Sequence, residues 1–275
     1  MIAMNVSYLG PKGSFSEIAL LAYFGNNATT IPMPSIGDVF NSVENKETTY
    51  GIIPIENSIE GSVNNSHDLL MESNVLISGE IELPINQCLL SKNFSKEGVN
   101  ILYSHSQSLA QCQNWIKSKL PKIKIVPVIS NSEGATMIKK DNEACIGSEK
   151  LSKDYNLNIL EYNIQDFPDN TTRFLIIGRE VSEKSNHNKT SIIVSPSNTS
   201  DSGSLFKVLK PFSNHNVNLS RIESRPSKMG KWSYVFFIDL EGHISDESLI
   251  NALSELEKLN IQFKNLGSYP ISSDS

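Results

Sequence analysis

Apolar positions along the chain change spacing in a regular way. Asn5 to Leu9 alternates, the Gly10-Pro11-Lys12-Gly13-Ser14 segment interrupts, and Phe15 to Phe24 carries apolar residues at helical spacing, which predicts strand, turn and helix. Ser35 to Val43 predicts a second helix, and Tyr50 to Ile55 a buried strand ending at Glu56-Asn57-Ser58. Strands are expected at Val75 to Leu83, Asn86 to Leu90 and Ile101 to Ser104, then a helix over Gln107 to Leu120 with Leu109, Cys112, Trp115 and Ile116 on one face. Ile123 to Ile129, Ser132 to Lys140, Glu143 to Ile146 and a helix from Ser148 continue the alternation. The Pro168-Asp169-Asn170-Thr171-Thr172-Arg173 stretch then reads as a loop entering a buried strand at Phe174 to Gly178. Strand and helix in alternation mean a largely parallel sheet with helices on its faces, and so many strands suit two α/β lobes with a cleft between them.

Glu180 to Lys189 is polar and without apolar periodicity, so the domain boundary is placed there. Beyond it come a strand at Thr190 to Ser195, a helix at Gly203 to Phe212, strands at Val217 to Ser224 and Trp232 to Leu240, a helix at Ser245 to Leu259 and a strand at Ile261 to Tyr269. This is the ferredoxin-like βαββαβ order, an α+β domain.

Length agrees with two domains, since 275 residues exceed one ordinary domain at roughly 100 to 200 residues each. Hydrophobic residues at 39% and charged residues at 20% are globular values, and no apolar run nears the ~20 residues of a spanning helix. With no basic-then-apolar leader after Met1, a cytoplasmic protein without a membrane partner is expected. The net charge of -6 offers no basic stripe for nucleic acid. Cys88, Cys112 and Cys145 are odd in number and widely spaced, which predicts buried thiols and no metal site.

Three places carry candidate chemistry. At the mouth of the last strand of the first domain, Thr172 and Arg173 would open into one cleft, suited to an anionic substrate bearing a hydroxyl; a strand end with one solvated arginine is the plainer alternative. Ser14, with Glu17 three residues on, forms a capping-box pattern whose amides suit a carboxylate, or simply a capped turn. Glu56-Asn57-Ser58 stands at a strand's carboxyl end, where open α/β sheets bind ligands, or is a helix start capped by Asn57 or Ser58. In Ser104-His105-Ser106-Gln107 the histidine suits a surface or capping role.

Gly10-Pro11-Lys12-Gly13-Ser14-Phe15-Ser16, Pro54-Ile55-Glu56-Asn57-Ser58-Ile59-Glu60-Gly61, Ser104-His105-Ser106-Gln107 with Gln111-Cys112, and Thr172-Arg173-Phe174 together resemble the prephenate dehydratase family in order and spacing. The second domain resembles an ACT domain, through Gly203-Ser204-Leu205-Phe206 and Asn218-Leu219-Ser220-Arg221-Ile222-Glu223-Ser224-Arg225-Pro226. The resemblance implies a two-lobed, periplasmic-binding-protein-like catalytic domain over residues 1–180, one lobe 1–78 with 160–180 and the other 79–159, and an ACT regulatory domain over 190–275. It implies a cofactor-free dehydratase that turns prephenate into phenylpyruvate, carbon dioxide and water, regulated by phenylalanine and working as a homodimer or homotetramer.

Within that family reading Thr172 serves as donor to the leaving hydroxyl, Glu56 as a proton relay if burial raises its pKa, and Asn57 as the residue that fixes their geometry. Arg173 and the helix start at Ser14, Phe15 and Ser16 are the anion donors, while Ser58, Ser104 and Gln111 meet the substrate's polar ends and Phe174 packs in the core or lines the pocket. Phenylalanine is expected at Gly203, Ser204 and Leu205, at Asn218 and Leu219 across a subunit interface, and near Glu223, Ser224, Arg225 and Pro226. Ser14 stands where the family commonly has Thr, Glu133 where the second lobe commonly offers Thr, and Ser204 where Ala is common. No helical chorismate mutase segment precedes Met1, so a monofunctional enzyme is expected. An arogenate dehydratase and a non-catalytic amino-acid sensor are the alternatives; the first strand lacks the G-x-G-x-x-G of a nicotinamide-dependent dehydrogenase.

Overall fold

The computed structural model describes residues 4–196, 202–227 and 233–271. In chain order, the first elements are β1 (Met4–Leu9), α1 (Phe15–Phe24), β2 (Ala28–Met33), α2 (Ile36–Glu44), β3 (Tyr50–Asn57), β4 (Gly61–Ser62), α3 (Asn64–Glu72) and β5 (Leu76–Pro84). A second group comprises β6 (Cys88–Ser91), β7 (Ile101–His105), α4 (Ser106–Gln111), α5 (Gln113–Lys119), β8 (Lys124–Val128), α6 (Asn131–Met137), β9 (Glu143–Gly147), α7 (Glu149–Tyr155) and β10 (Asn158–Glu161). The chain then returns through β11 (Thr171–Gly178) and closes with β12 (Asn188–Ser195), α8 (Ser204–Asn214), β13 (Leu219–Pro226), β14 (Tyr234–Glu241), α9 (Glu247–Lys258) and β15 (Gln262–Pro270).

Three sheets result. The first runs β2-β1-β3-β11-β5, with β4 on β3, and the second runs β10-β6-β9-β7-β8. In both, the first strand to form parallel pairs lies centrally: β1 between β2 and β3, and β7 between β8 and β9. The chain leaves the first sheet after β5 and re-enters it at β11, as an interrupted lobe requires. The two crossing segments are tied together where Ile85 N–H donates to the Asn170 carbonyl at 2.7 Å and Ile164 N–H to that of Gln87 at 2.9 Å. Because β5 continues to Pro84 in the first sheet, the second lobe's sheet starts at Cys88, later than the boundary expected at 79.

The cores follow the sheets. Val6, Tyr8, Ala19, Leu20, Ile52 and Phe174 pack between the first sheet and α1. Clusters around Leu90, Cys145 and Leu151 and around Leu89, Cys112 and Ile146 fill the second lobe. The last sheet, β13-β14-β12-β15, is antiparallel throughout, and α8 and α9 cover it over Ile192, Val208, Phe212, Ile238, Leu253 and Leu256. That is the predicted βαββαβ domain; Trp232, the expected start of its third strand, lies outside the described residues.

By contacts the chain separates into one unit reaching to Ser66 and resuming over Ile81–Phe174, and another of His67–Glu80 with the chain from Leu175 onward. The division therefore does not follow the polar linker at 180–189. Within the second unit, Lys264 Nζ donates to the carbonyls of Leu70 at 3.0 Å and Met71 at 3.1 Å, covering the last turn of α3 with a cation where a helix dipole favours one. Arg225 Nη2 reaches Asp68 at 3.1 Å, and the rings of His67 and Phe237 meet edge to face at 4.8 Å.

Four elements were not expected. β2 contains Pro32 and forms an edge, where a missing donor is tolerated. α3 begins Asn-Asn-Ser-His-Asp and has no apolar stripe to announce it. β4 and β10 are too short to leave a period. The single helix expected over Gln107 to Leu120 is two, broken at Cys112 (φ -116°, ψ 16°), with Asp166 accepting from the amides of Asn114 at 2.9 Å and Trp115 at 3.0 Å at the new start.

Candidate active site

The polar centre of the first unit grows from the turn after β3. Asn57 Oδ1 accepts the main-chain N–H groups of Ile59 and Glu60, each at 3.0 Å, so its carbonyl faces the turn and its NH2 faces away. That NH2 donates to Asn170 Oδ1 at 2.7 Å and to Thr172 Oγ1 at 2.9 Å, with Thr171 O at 3.3 Å as a weaker third contact. Ser58 completes the clamp, its N–H donating to Thr171 O at 2.8 Å and its Oγ accepting from Thr171 N–H at 3.0 Å. Asn57, Asn170 and Thr172 are all buried, at 8%, 2% and 9% exposure, which shields these bonds from competing water.

The order of donation fixes a proton. An amide NH2 cannot accept, so Thr172 Oγ1 is the acceptor from Asn57 and its own hydrogen remains available to a ligand. Thr172 thus presents a donor. β11 already begins at Thr171, so Thr172 and Arg173 are consecutive strand residues on opposite faces, rather than neighbours opening side by side from a loop. Phe174 follows on the Thr172 face and is 2% exposed among the residues of the α1 core. Along β3 the same two-residue repeat carries Glu56 to the face of Ile52, a member of that core.

The second lobe offers uncharged groups, chained together. Glu60 accepts from Gln111 Nε2 at 2.8 Å and from Gln107 Nε2, joining the turn after β3 to α4. Gln111 Oε1 accepts from Gln87 Nε2 at 3.1 Å. Asn131 Nδ2 donates to Ser108 Oγ at 2.7 Å, while its Oδ1 accepts from Ser104 Oγ at 3.2 Å and His105 N–H at 3.0 Å. Ser104 is therefore fully buried and engaged with Asn131, and His105 Nδ1 caps α4 by accepting from Gln107 N–H at 3.3 Å.

The loop before α1 is the second contact between the lobes. Ser14 Oγ accepts from Glu17 N–H at 3.4 Å and donates to Leu9 O at 3.0 Å, so the capping half of the predicted box is present. Glu17 does not close the box on Ser14. Its buried carboxylate accepts from Gly13 N–H at 2.6 Å, with Lys150 Nζ at 3.7 Å, and so a protein carboxylate already occupies part of the loop's amide surface. Phe15 packs against the α1 core and Ser16 is buried. Ser132 Oγ donates to Lys12 O at 2.6 Å and Ser148 Oγ to Gly13 O at 3.3 Å, tying the loop to α6 and α7. Glu133 serves as a capping partner: its carboxylate accepts from Ile129 N–H at 2.7 Å while its N–H donates to Ser130 Oγ at 3.0 Å.

Burial shapes the electrostatics nearby. It raises the Tyr8 phenol above its ordinary value, with the Glu17 carboxylate adding to the effect. It also pushes the Cys112 thiol up to about 12, and all three cysteines are free and buried. Among the described residues no cluster of His, Cys, Asp and Glu could hold a metal ion.

In the ACT domain the residues expected to bind an effector fall at two ends. Gly203 takes φ +76°, which favours glycine, and opens α8 just beyond β12, with Ser204 and the part-exposed Leu205 in the first turn. Asn218 and Leu219 lie at the start of β13, where Leu219 pairs with Leu240, while Ser224 pairs with Phe236 and Pro226 with Tyr234 at the far end. Six residues of strand separate Leu219 from Pro226, a span of about 23 Å. Asn218 Nδ2 donates to Glu241 at 2.8 Å, Glu223 lies 3.7 Å from Arg221, and Arg225 is held by Asp68.

Asn170, Glu60, Gln107, Gln87 and Asn131 were not among the expected site residues. Asn170 stood in plain view in a Pro-Asp-Asn run, where its type is explained by the turn, and only its closeness to Thr172 in sequence could have drawn notice to it.

The model of the family described as prephenate dehydratase matches residues 6–182, and that of the ACT domain residues 192–258. A bifunctional chorismate mutase/prephenate dehydratase of Aquifex aeolicus is 44% identical over 97% of this chain and 74% of its own length. The crystal structure of a prephenate dehydratase in complex with L-Phe from Arthrobacter aurescens superposes with a TM-score of 0.87 at 31% identity, covering 97% of this chain and 90% of that one. A structure described as a novel type of quorum quenching acylase superposes at 0.85 with 26% identity over 98% of each chain, so this fold alone does not decide the reaction. Matched through both of its folded halves, the chain belongs to the prephenate dehydratase family and carries an ACT domain.

Proposed function

We propose that this chain converts prephenate to phenylpyruvate in phenylalanine biosynthesis, through a catalytic domain over residues 1–180 and under the control of phenylalanine bound at an ACT domain over 190–275. The observation that carries the reading is the Asn57–Thr172 hydrogen bond, which leaves the Thr172 hydroxyl hydrogen directed to a ligand. In the reaction the ring carboxylate departs as carbon dioxide, its bonding pair enters the ring, and the ring C–O bond breaks, the oxygen leaving as water once protonated. The aromatic product supplies the driving force. The protein needs to hold the dianion, exclude water and stabilise the departing oxygen, and a pre-aimed donor in a buried site does the last of these.

Thr172 acts as that donor, Asn57 orients it, and Glu56, which shares the Ile52 face of β3, relays the proton. Ser58 holds the two strands in register. Gln111 and Ser104 contribute uncharged polarity from the second lobe, Arg173 supplies charge balance from the opposite face of β11, and Phe15 with the Ser14–Ser16 helix start supplies shape. No cofactor takes part. One feature supports a homodimer or homotetramer: Gly203, Ser204 and Leu205 lie at the opposite end of the sheet from Asn218 and Leu219, so one phenylalanine reaches both groups only across a subunit interface. Glu223, Ser224, Arg225 and Pro226, which lie toward the end of the sheet where β12 finishes, complete the effector site beside the start of α8. A cytoplasmic location fits the biosynthetic role, and no described helix is long and apolar enough to cross a membrane.

The test is a turnover assay of the purified protein with prephenate and with arogenate, each with and without L-phenylalanine. Phenylpyruvate from prephenate, formed faster than phenylalanine from arogenate and changed in rate by L-phenylalanine, is the expected result. Preference for arogenate reassigns the substrate, and binding of L-phenylalanine without turnover of either makes the chain an amino-acid sensor.

A further inference from the structure

We infer that Asn170 is a ligand-contacting donor of this site: its side-chain NH2 hydrogen-bonds the substrate beside the Thr172 hydroxyl. The inference deepens the dehydratase reading and rests on it.

The N–H groups of Ile59 and Glu60 both point at Asn57 Oδ1, which fixes which end of that amide is oxygen. Asn57 Nδ2 then has two hydrogens and two good acceptors, Thr172 Oγ1 at 2.9 Å and Asn170 Oδ1 at 2.7 Å. The second bond fixes the Asn170 amide in turn, since only its oxygen can receive a hydrogen from Asn57. Its NH2 therefore points away from Asn57.

That NH2 has no acceptor among the described residues, although Asn170 is 2% exposed. Nor is it sealed in, because it is absent from the fully buried side-chain atoms that lack a partner. A buried amide whose one open direction carries an unused donor loses free energy unless something accepts from it. Asn170 immediately precedes β11, and its side chain and that of Thr172 accept from the same Asn57 Nδ2, so its donor and the Thr172 hydroxyl flank one point of the site. Two converging neutral donors suit an anionic substrate losing an oxygen, and they add no cation that would hold the ring carboxylate back from leaving.

Asn170→Asp separates this role from a purely supporting one. Aspartate keeps the oxygen that accepts from Asn57 and replaces the NH2 with a second oxygen. The experiment measures kcat and KM with prephenate for wild type, Asn170→Asp and Asn170→Ala, with thermal melting as a control. Wild type is expected to turn over, and both variants to lose about 100-fold in kcat, the size of effect seen when one preorganised donor is removed. Asn170→Asp within threefold of wild type, with only Asn170→Ala impaired, overturns the donor role and leaves Asn170 as support for Asn57 while the dehydratase reading stands. An inactive wild type overturns both. Should the variants not fold, a structure of the wild type with phenylpyruvate decides: an oxygen of the ligand within hydrogen-bonding distance of Asn170 Nδ2 is expected, and a ligand that leaves this atom uncontacted contradicts it.

Discussion

At single residues the chain uses side-chain amides and carboxylates to assign direction to neighbouring groups. Asn57 turns two main-chain donors into two aimed side chains, and the motif Glu56-Asn57-Ser58 pointed to that residue while leaving its orientation open. Glu143 does comparable work for stability. Its carboxylate accepts from the N–H groups of Lys139 at 2.6 Å and Lys140 at 2.9 Å, and these bonds, the Lys139 one foremost, hold its pKa below the ordinary carboxylate value against the opposing effect of burial. A carboxyl whose pKa is lowered by folding stabilises the protein above its unfolded pKa and loses that contribution as pH falls through the folded value. Glu143→Gln is therefore expected to cost about 2 kcal/mol at neutral pH, from hydrogen bonds to a charged acceptor, and to flatten the acid limb of stability below roughly pH 4.5. Denaturant titrations at several pH values read this, and an unchanged acid limb would contradict it. Nothing in the sequence marked Glu143, because its partners are backbone amides.

For whole elements, what was legible depended on whether a period had room to show. α1, α2 and α9 announced themselves through apolar residues at helical spacing, and Ser14, read as a cap, does cap α1; Ser35, Ser130 and Ser148 cap α2, α6 and α7 in the same way. α3 did not, because the contacts that hold it are made by distant residues such as Lys264 and Arg225. β15 makes a comparable approach that composition hides. Gly267 takes φ +135°, and a Cβ there would lie 2.3 Å from the carbonyl oxygen of Ile77, a backbone atom with no room to yield. Gly267→Ala is expected to destabilise the protein by more than about 2 kcal/mol, from strain at positive φ compounded by backbone displacement. Thermal melting checks this, and a melting temperature unchanged from wild type would show that β15 and β5 part easily.

Across the whole molecule, the β/α alternation and the βαββαβ tail were readable because each is a sequence of local periods, and both architectures are present. The grouping of His67–Glu80 with the ACT sheet was not readable, since it depends on contacts nearly two hundred residues apart, such as that of Lys264 with Leu70. The candidate site was half legible in the same sense. Thr172, Asn57 and Ser58 were identifiable by type and motif; the structure hydrogen-bonds Asn57 to Thr172 and Ser58 to the main chain of the adjacent Thr171. The Gln87–Gln111–Glu60 chain required knowing how the second lobe faces the first. Both lobes contribute residues to the site, but its chemistry converges on one hydroxyl. The most direct measurement is kcat for phenylpyruvate formation by Thr172→Val, which keeps the side chain's shape and removes its donor. A fall of about 100-fold or more with an unchanged fold is predicted. Turnover within a few-fold of wild type would mean that the departing oxygen takes its proton elsewhere, and the central assignment would fail.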